Sequence, residues 1–148
     1  MKTLILLVAF VGLSSWKPAA SELAIIVNPQ NNVEKLTLTQ VKSYWMRKGA
    51  QKTWPQLNIV TDPVDRKDKS EEKALFYTKV IGLGEADVEA YFSAKQYQSG
   101  EKPPVRLSSD EEIINYVTEH KGAIAFVKAA SLVGDKTSKV KVVFTLAP

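Results

Sequence analysis

The sequence predicts one α/β domain, with a mixed sheet between two layers of helices, behind a short export signal. Three observations predict it: an unbroken apolar run at Leu23 to Val27, repeated capping patterns at helix starts, and an alternating strand near the C-terminus. Segments of strand and helix character interleave along the chain, which is typical of a three-layer α/β domain. A length of 148 residues with 45% apolar and 24% charged residues fits a single globular unit.

The N-terminal segment has the composition of a secretory signal peptide. Lys2 gives it a positive start, residues 4–13 are almost entirely apolar, and the small residues Ala19 and Ser21 precede an expected cut before Glu22. The apolar run is shorter than the roughly 20 residues that a membrane-spanning helix needs. We therefore expect export to the periplasm without a permanent membrane anchor.

Removal of the signal divides the chain into residues 1–21 and a mature domain at residues 22–148. Loss of Lys2 and Lys17 lowers the basic count from 20 to 18 against 16 acids, so the formal charge falls from +4 to +2. That small charge gives no electrostatic reason to expect a nucleic-acid partner. The chain has no cysteine, which excludes disulfides and a lipid anchor on cysteine.

The first half of the mature chain begins with a buried strand at Leu23 to Val27, of the kind found in largely parallel sheets. Thr37 and Gln40 form a capping-box pattern that predicts a helix over about 37–47. A short strand is predicted at Leu57 to Val60. It leads into a predicted loop over Asp62 to Lys69.

Capping and periodicity predict the elements of the second half. They are a helix capped by Ser70 and stopped by Gly82, a helix carrying Val88, Tyr91 and Phe92, a helix opened by Ser109 and Glu112 and ended by Gly122, and a buried strand at Ala123 to Val127. The last strand is predicted from the alternation of Val140, Val142, Phe144 and Leu146 with their neighbours.

The segment from Asp65 to Ser70 is the candidate anion site. It lies between a predicted strand and a predicted helix start, where free backbone N–H groups and the helix dipole favour an anion. Arg66 can add a bidentate contact and Ser70 a hydroxyl donor. The alternative is that Ser70 only caps its helix while Arg66 pairs with Asp62 or Asp65.

Metal or histidine chemistry is not expected. Asp62, Asp65 and Asp68 lack the glycine and the alternating oxygen ligands of an EF-hand calcium loop. His120 is the single histidine and stands at a predicted helix end, where a solvated imidazole interacts favourably with the helix dipole and a structural role explains it. We expect neither a metal nor another cofactor.

Catalysis is not expected either. With one histidine, no cysteine, no phosphate-binding glycine loop and no nucleophile elbow, the chain shows no nucleophile and base pair, and a hydrolase remains a minor alternative. Tyr44, Trp45 and Trp54 either line a pocket or belong to the core, and aromatic residues at helical spacing favour the core.

Six motifs in order resemble one lobe of the periplasmic phosphate-binding proteins of ABC transporters, over almost the whole mature chain. The motifs are residues 24–29 (AIIVNP), residues 36–39 (LTLT) with Tyr44 and Trp45 through Gly49 and Trp54-Pro55, Pro63 to Arg66 leading to Ser70 and Phe76, Ser99-Gly100 with Pro103-Pro104, Ser109 to Glu112, and residues 122–126 (GAIAF). The resemblance implies a three-layer α/β/α lobe of the type II periplasmic binding proteins, with a mixed sheet.

The resemblance also implies a function and a site. In the family, an arginine, an acidic residue and a serine of the anion-binding loop hold the oxyanion, and these roles would fall on Arg66, Asp68 and Ser70. The implied ligand is phosphate or another small oxyanion, bound weakly, and the implied partner is an ABC permease or another envelope protein.

An envelope interaction module that keeps the fold without a ligand is the alternative function. Glu71 and Glu72 stand where the family usually has glycine and threonine, and acids beside an anion site oppose anion binding. In this alternative, a face around Tyr44, Trp45 and Trp54 contacts another protein.

Overall fold

A computed structural model describes residues 22–148, which form a five-stranded sheet, a separate two-stranded hairpin and five α-helices. The signal-peptide prediction at residues 1–21 lies outside the described residues. The strands are β1 (Leu23–Val27), β2 (Thr53–Trp54), β3 (Ile59–Val60), β4 (Asp62–Arg66), β5 (Val105–Leu107), β6 (Ala123–Lys128) and β7 (Lys141–Leu146). The helices are α1 (Leu38–Trp45), α2 (Glu71–Phe76), α3 (Glu85–Ser99), α4 (Asp110–Glu119) and α5 (Lys136–Lys139).

The main sheet is mixed, as predicted, with strand order β5-β4-β6-β1-β7. Strand β4 runs parallel to both β5 and β6, whereas β1 is antiparallel to both of its neighbours, β6 and β7. The expectation that β1 belongs to a largely parallel sheet is therefore wrong, although its burial is as predicted. A central strand that is covered on both faces has an apolar sequence whether its neighbouring strands are parallel or antiparallel to it.

Helices cover both faces of the sheet, which gives the predicted three layers. On one face, alternate residues of β1 and β6 pack with α1, the α2 region and α3, and the cluster includes Trp45, Phe76 and Phe92. On the other face, the remaining residues of the same strands pack against α4 through Ile113, Ile114 and Val117.

Strand β4 is the main correction to the sequence-based prediction. Asp62–Arg66 was expected in a loop, but it is a strand, and all of it except Asp62 is buried. Asp65 tolerates burial because its carboxylate is hydrogen-bonded: it accepts from the Tyr77 hydroxyl at 2.7 Å and from the Arg66 backbone N–H at 2.8 Å. Burial nevertheless raises the pKa of Asp65, and these hydrogen bonds with nearby Lys73 oppose the rise.

Helix starts follow the predicted capping chemistry. Thr37 and Gln40 make the reciprocal capping box at the start of α1. Ser109 accepts from the Glu112 backbone N–H, but the Glu112 carboxylate accepts from the N–H of Ser108 rather than from that of Ser109. At α2, Ser70 is the N-cap as predicted.

Helix stops and short strands are predicted less well. Helix α2 continues as one π-helical stretch, Tyr77–Ile81, and stops at Gly82 in the left-handed conformation, as predicted. Gly122 does not end α4, which stops at Glu119; instead a Cβ atom at this position would lie 2.4 Å from the carbonyl oxygen of Val60. The predicted strand near Val60 is limited to two residues, which pair with β2 in the hairpin.

A β-bulge changes the predicted alternation in β7. The register shifts between Ile25 and Ile26 of β1, whose partners are Phe144 and Val142, so Val143 is left between two pairs. As a result Val143 is buried, whereas Val142 is 41% exposed. Among residues 22–148, no helix is long and apolar enough to cross a membrane.

Candidate functional site

The candidate site lies where the three parallel strands end. Because β4, β5 and β6 run in the same direction, their carboxyl ends share one edge of the sheet, which is where open α/β sheets bind ligands. Arg66 is the last residue of β4 and Lys128 the last of β6. Asp110 begins α4, directly after the two-residue segment that follows β5, and Ser131 ends the turn after β6.

Arg66 is paired with Asp110. Its Nη2 contacts the Asp110 Oδ1, and the two side chains are only 9% and 13% exposed. The other carboxylate oxygen, Oδ2, accepts from the Ser131 hydroxyl at 2.5 Å and from the Lys128 backbone N–H at 3.1 Å. Burial lowers the pKa of Arg66, while the charges of Glu72 and Asp65 raise it. A guanidinium, a hydroxyl and a backbone amide therefore hold one carboxylate.

We call the residues at this edge the Arg66 cluster. They are Arg66, Asp110, Ser131, Lys128, Ser70 and Glu72, and the last two form its second half. The Ser70 hydroxyl accepts from the Lys73 backbone N–H at 3.1 Å, which is its capping bond. The Lys128 Nζ lies 3.0 Å from the Glu72 Oε1. Burial alone would raise the pKa of Glu72, but Lys128, its own backbone N–H and the Ser70 hydroxyl bring it below its ordinary value. The cluster thus contains two cations and two carboxylates.

The three predicted site residues are placed differently. Arg66 and Ser70 belong to the cluster, whereas Asp68 lies in an exposed bend between them in the chain. No ion pair or hydrogen bond joins Asp68 to Arg66 or Ser70 within the part of the chain described here. The alternative partners considered for Arg66, Asp62 and Asp65, are also not its salt-bridge partner; that partner is Asp110.

Other sequence candidates are structural. Trp45 and Trp54 are 0% and 1% exposed and Tyr44 is 7% exposed, so the hypothesis of a partner-binding face around these aromatic residues is wrong. The indole N–H of Trp45 donates to the Val64 carbonyl, and that of Trp54 donates to the Gly122 carbonyl. These bonds tie α1 and the hairpin to the sheet.

The remaining polar candidates are also explained by local contacts. The Asp62 carboxylate accepts from the Tyr116 hydroxyl at 2.6 Å, and no group of three acidic, histidine or cysteine residues in positions 22–148 is arranged to hold a metal ion. His120 stacks on Tyr116 at 3.7 Å between ring centroids and is exposed at the end of α4.

Sequence reasoning missed Asp110, Glu72, Lys128 and Ser131 as site residues. Lys128 directly follows a predicted strand, so its position at a sheet edge was accessible from the pattern. Asp110 was not, because β5 is a three-residue strand with little sequence signal. Asp110 was visible only as part of a helix-capping segment.

Solved structures with the same fold include three proteins whose names refer to phosphate transport or binding. They are an ABC-type phosphate transport receptor from Vibrio cholerae (21% identity, TM-score 0.60, 84% of this chain and 47% of that chain), a putative phosphate ABC transporter substrate-binding protein with bound phosphate from Clostridium perfringens (22%, 0.58, 84% and 46%), and a possible phosphate binding protein from Planctomyces limnophilus (20%, 0.58, 84% and 42%).

The likeness lies in the fold. The chain spans less than half the length of these three proteins. No protein-family model matches the sequence, and no curated protein is significantly similar to it. The described part of the chain therefore has the fold of one lobe of the phosphate ABC transporter substrate-binding proteins.

Proposed function

We propose that the chain is an exported solute-binding-like protein that recognises a small oxyanion, such as phosphate, weakly at the Arg66 cluster. One observation carries the proposal: the cluster already holds an oxyanion, the Asp110 carboxylate, through a buried guanidinium, a hydroxyl and a backbone N–H. These donors are the ones that proteins use for phosphate. The fold is that of proteins named for phosphate binding, one of which is described with phosphate bound.

Weak binding follows from the charges around the site. Arg66 and Lys128 are matched by Asp110 and Glu72, so the four side chains sum to zero charge. These four side chains offer an incoming phosphate no net positive charge and include two carboxylates. Like charges at such separations cost on the order of 1 kcal/mol or more in a partly buried site. We expect dissociation constants in the millimolar range, about 4 kcal/mol of binding free energy.

Isothermal titration with phosphate at low and moderate salt tests this function. Binding should weaken as salt rises, because screening reduces attraction between charges at an accessible site. Arg66→Ala should abolish the heat. Arg106→Ala is the control, because Arg106 is another arginine of the same sheet but its ion-pair partners are Glu89 and Asp65 rather than Asp110. If millimolar phosphate gives no binding heat and does not change the melting temperature, the oxyanion function is wrong.

Export and partners form part of the same proposal. Residues 1–21 would direct export to the periplasm, and the mature protein would begin at Glu22 and work with an ABC permease or another envelope protein. Cell fractionation followed by N-terminal sequencing of the mature protein tests the first step. Recovery of an uncut chain in the cytoplasm would contradict it. We assign the chain no enzymatic activity.

An interaction module without a ligand is the second candidate function. The observation that favours it is that each cation faces a carboxylate, Arg66 with Asp110 and Lys128 with Glu72, which balances the charges at this edge without an added ion. In that case phosphate neither binds nor stabilises the protein, and the envelope partner is recognised by a different surface. The titration above separates the two functions.

A further inference from the structure

The Asp110 carboxylate leaves one buried donor of Arg66 without an acceptor. It forms an ion pair with Arg66 through Nη2 and accepts hydrogen bonds from the Ser131 hydroxyl and the Lys128 backbone N–H. The Arg66 Nε, in a side chain more than nine-tenths buried, has no hydrogen-bond partner among residues 22–148. A buried charged donor without an acceptor is costly. A tetrahedral oxyanion has more acceptor oxygens than a carboxylate and can also reach this N–H.

Asp110 is not needed to cap its own helix. Ser109 is the N-cap of α4 and accepts from the Glu112 backbone N–H, and Glu112 accepts from the N–H of Ser108. Among residues 22–148, the polar contacts of the Asp110 carboxylate all go to the donors of the cluster. Its side chain can therefore leave the cluster by rotation without removing the capping bonds of α4.

We propose that Asp110 is a built-in competitor for the oxyanion site, so that phosphate or sulfate binds only by displacing its carboxylate. This inference rests on the proposed oxyanion function and names what limits the affinity. Displacement replaces one anion by another, which leaves the charge of Arg66 compensated throughout. Asp110 then lowers the affinity of the site and is not itself a ligand of the oxyanion.

Phosphate titrations of the parent protein, Asp110→Asn and Glu111→Gln test the inference. Asp110→Asn keeps the side-chain shape but removes the competing charge, and phosphate should bind at least tenfold more tightly. Glu111→Gln is the matched control, since it removes one charge from the next position of the same helix, where the side chain is exposed. Its affinity should stay within about threefold of the parent value. Equal or weaker binding by Asp110→Asn would overturn the inference.

A measurement on the parent protein covers the case in which Asp110→Asn fails to fold. The Lys128 backbone N–H donates to Asp110 Oδ2, so its amide NMR resonance should move when phosphate displaces that carboxylate. If phosphate binds the parent protein without moving the Lys128 resonance, and Arg66→Ala abolishes this binding, the competitor inference is wrong. The oxyanion function would still hold. No phosphate binding by either the parent or a folded Asp110→Asn would defeat both.

Discussion

The guanidinium of Arg66, at the end of β4, is paired with the carboxylate of Asp110, at the start of α4. The pair joins a central strand to a helix on one face of the sheet, and both side chains are largely buried. Breaking a buried pair on one side leaves an uncompensated charge, which costs more than the net contribution of the intact pair. Under the proposed function, the same pair would govern both stability and access to the oxyanion site.

The first prediction is an energetic coupling between these two residues. Arg66→Met and Asp110→Asn should each lower the free energy of unfolding by about 3 kcal/mol, because each leaves a buried group without its partner. The double variant should lose clearly less than the sum of the two. Urea unfolding of the four proteins measures the coupling, and strictly additive losses would argue against the pairing.

A second ion pair serves as the control for this cycle. Arg106 and Glu89 lie 2.7 Å apart, but their side chains are 42% and 53% exposed. The same cycle on Arg106→Met and Glu89→Gln should give a coupling of about 0.5 kcal/mol or less. A similar coupling in both pairs would show that burial does not set the difference.

The second prediction concerns the pH dependence of Glu72→Gln. The pKa of Glu72 is lower in the folded protein than its ordinary value of 4.5, so its ionised form stabilises the fold. That stabilisation is present above the unfolded pKa and is lost as the pH falls through the lowered folded pKa. The variant should be less stable by on the order of 1 kcal/mol at pH 7 and should approach the parent stability in acid.

Thermal unfolding of both proteins between pH 7 and pH 3 provides the measurement. Glu71→Gln is the control, because Glu71 precedes Glu72 in the same helix turn but is exposed. We expect a smaller difference from the parent for this variant at pH 7. A stability difference for Glu72→Gln that grows in acid would have the wrong sign for the proposed pairing.

The sequence predicted the elements whose signal is local. The apolar run of β1, the Thr37 capping box and the stop at Gly82 depend on neighbouring residues, and all three are confirmed. Strand β4 was missed because Asp65 and Arg66 are charged, and charged residues are buried in a strand only when distant partners compensate them.

The candidate site was predicted in part for the same reason. Arg66 and Ser70 belong to one continuous segment, so their proximity to a helix start could be read from the chain. The contact of Asp110 with Arg66 and that of Ser131 with Asp110 depend on the sheet order β5-β4-β6. No local pattern in the sequence specifies this order. The occupied state of the site is therefore a property of the tertiary structure.

The third prediction separates the observed register of β7 from the alternation in the sequence. Val143 is 2% exposed and Val142 is 41% exposed, because the bulge turns Val143 toward the core. Val143→Ala should lower the free energy of unfolding by about 2 kcal/mol, since it removes two buried methyl groups and leaves a cavity. Val142→Ala should cost about 0.5 kcal/mol. Chemical unfolding measures the stability of both variants. A larger loss of stability for Val142→Ala than for Val143→Ala would contradict the bulge and support the regular alternation.

The fourth prediction tests the contact between the β2–β3 hairpin and the start of β6. A Cβ at Gly122 would lie 2.4 Å from the Val60 carbonyl oxygen, so Gly122→Ala must displace backbone and should cost about 1 to 3 kcal/mol. The Gly122 carbonyl accepts from the Trp54 indole N–H at 2.9 Å, so the shift should also change tryptophan fluorescence. At Gly84 an added Cβ meets its nearest atom, on Asp87, only at 3.9 Å. Gly84→Ala should therefore leave the fluorescence unchanged, and an unchanged spectrum and stability in Gly122→Ala would contradict the close approach.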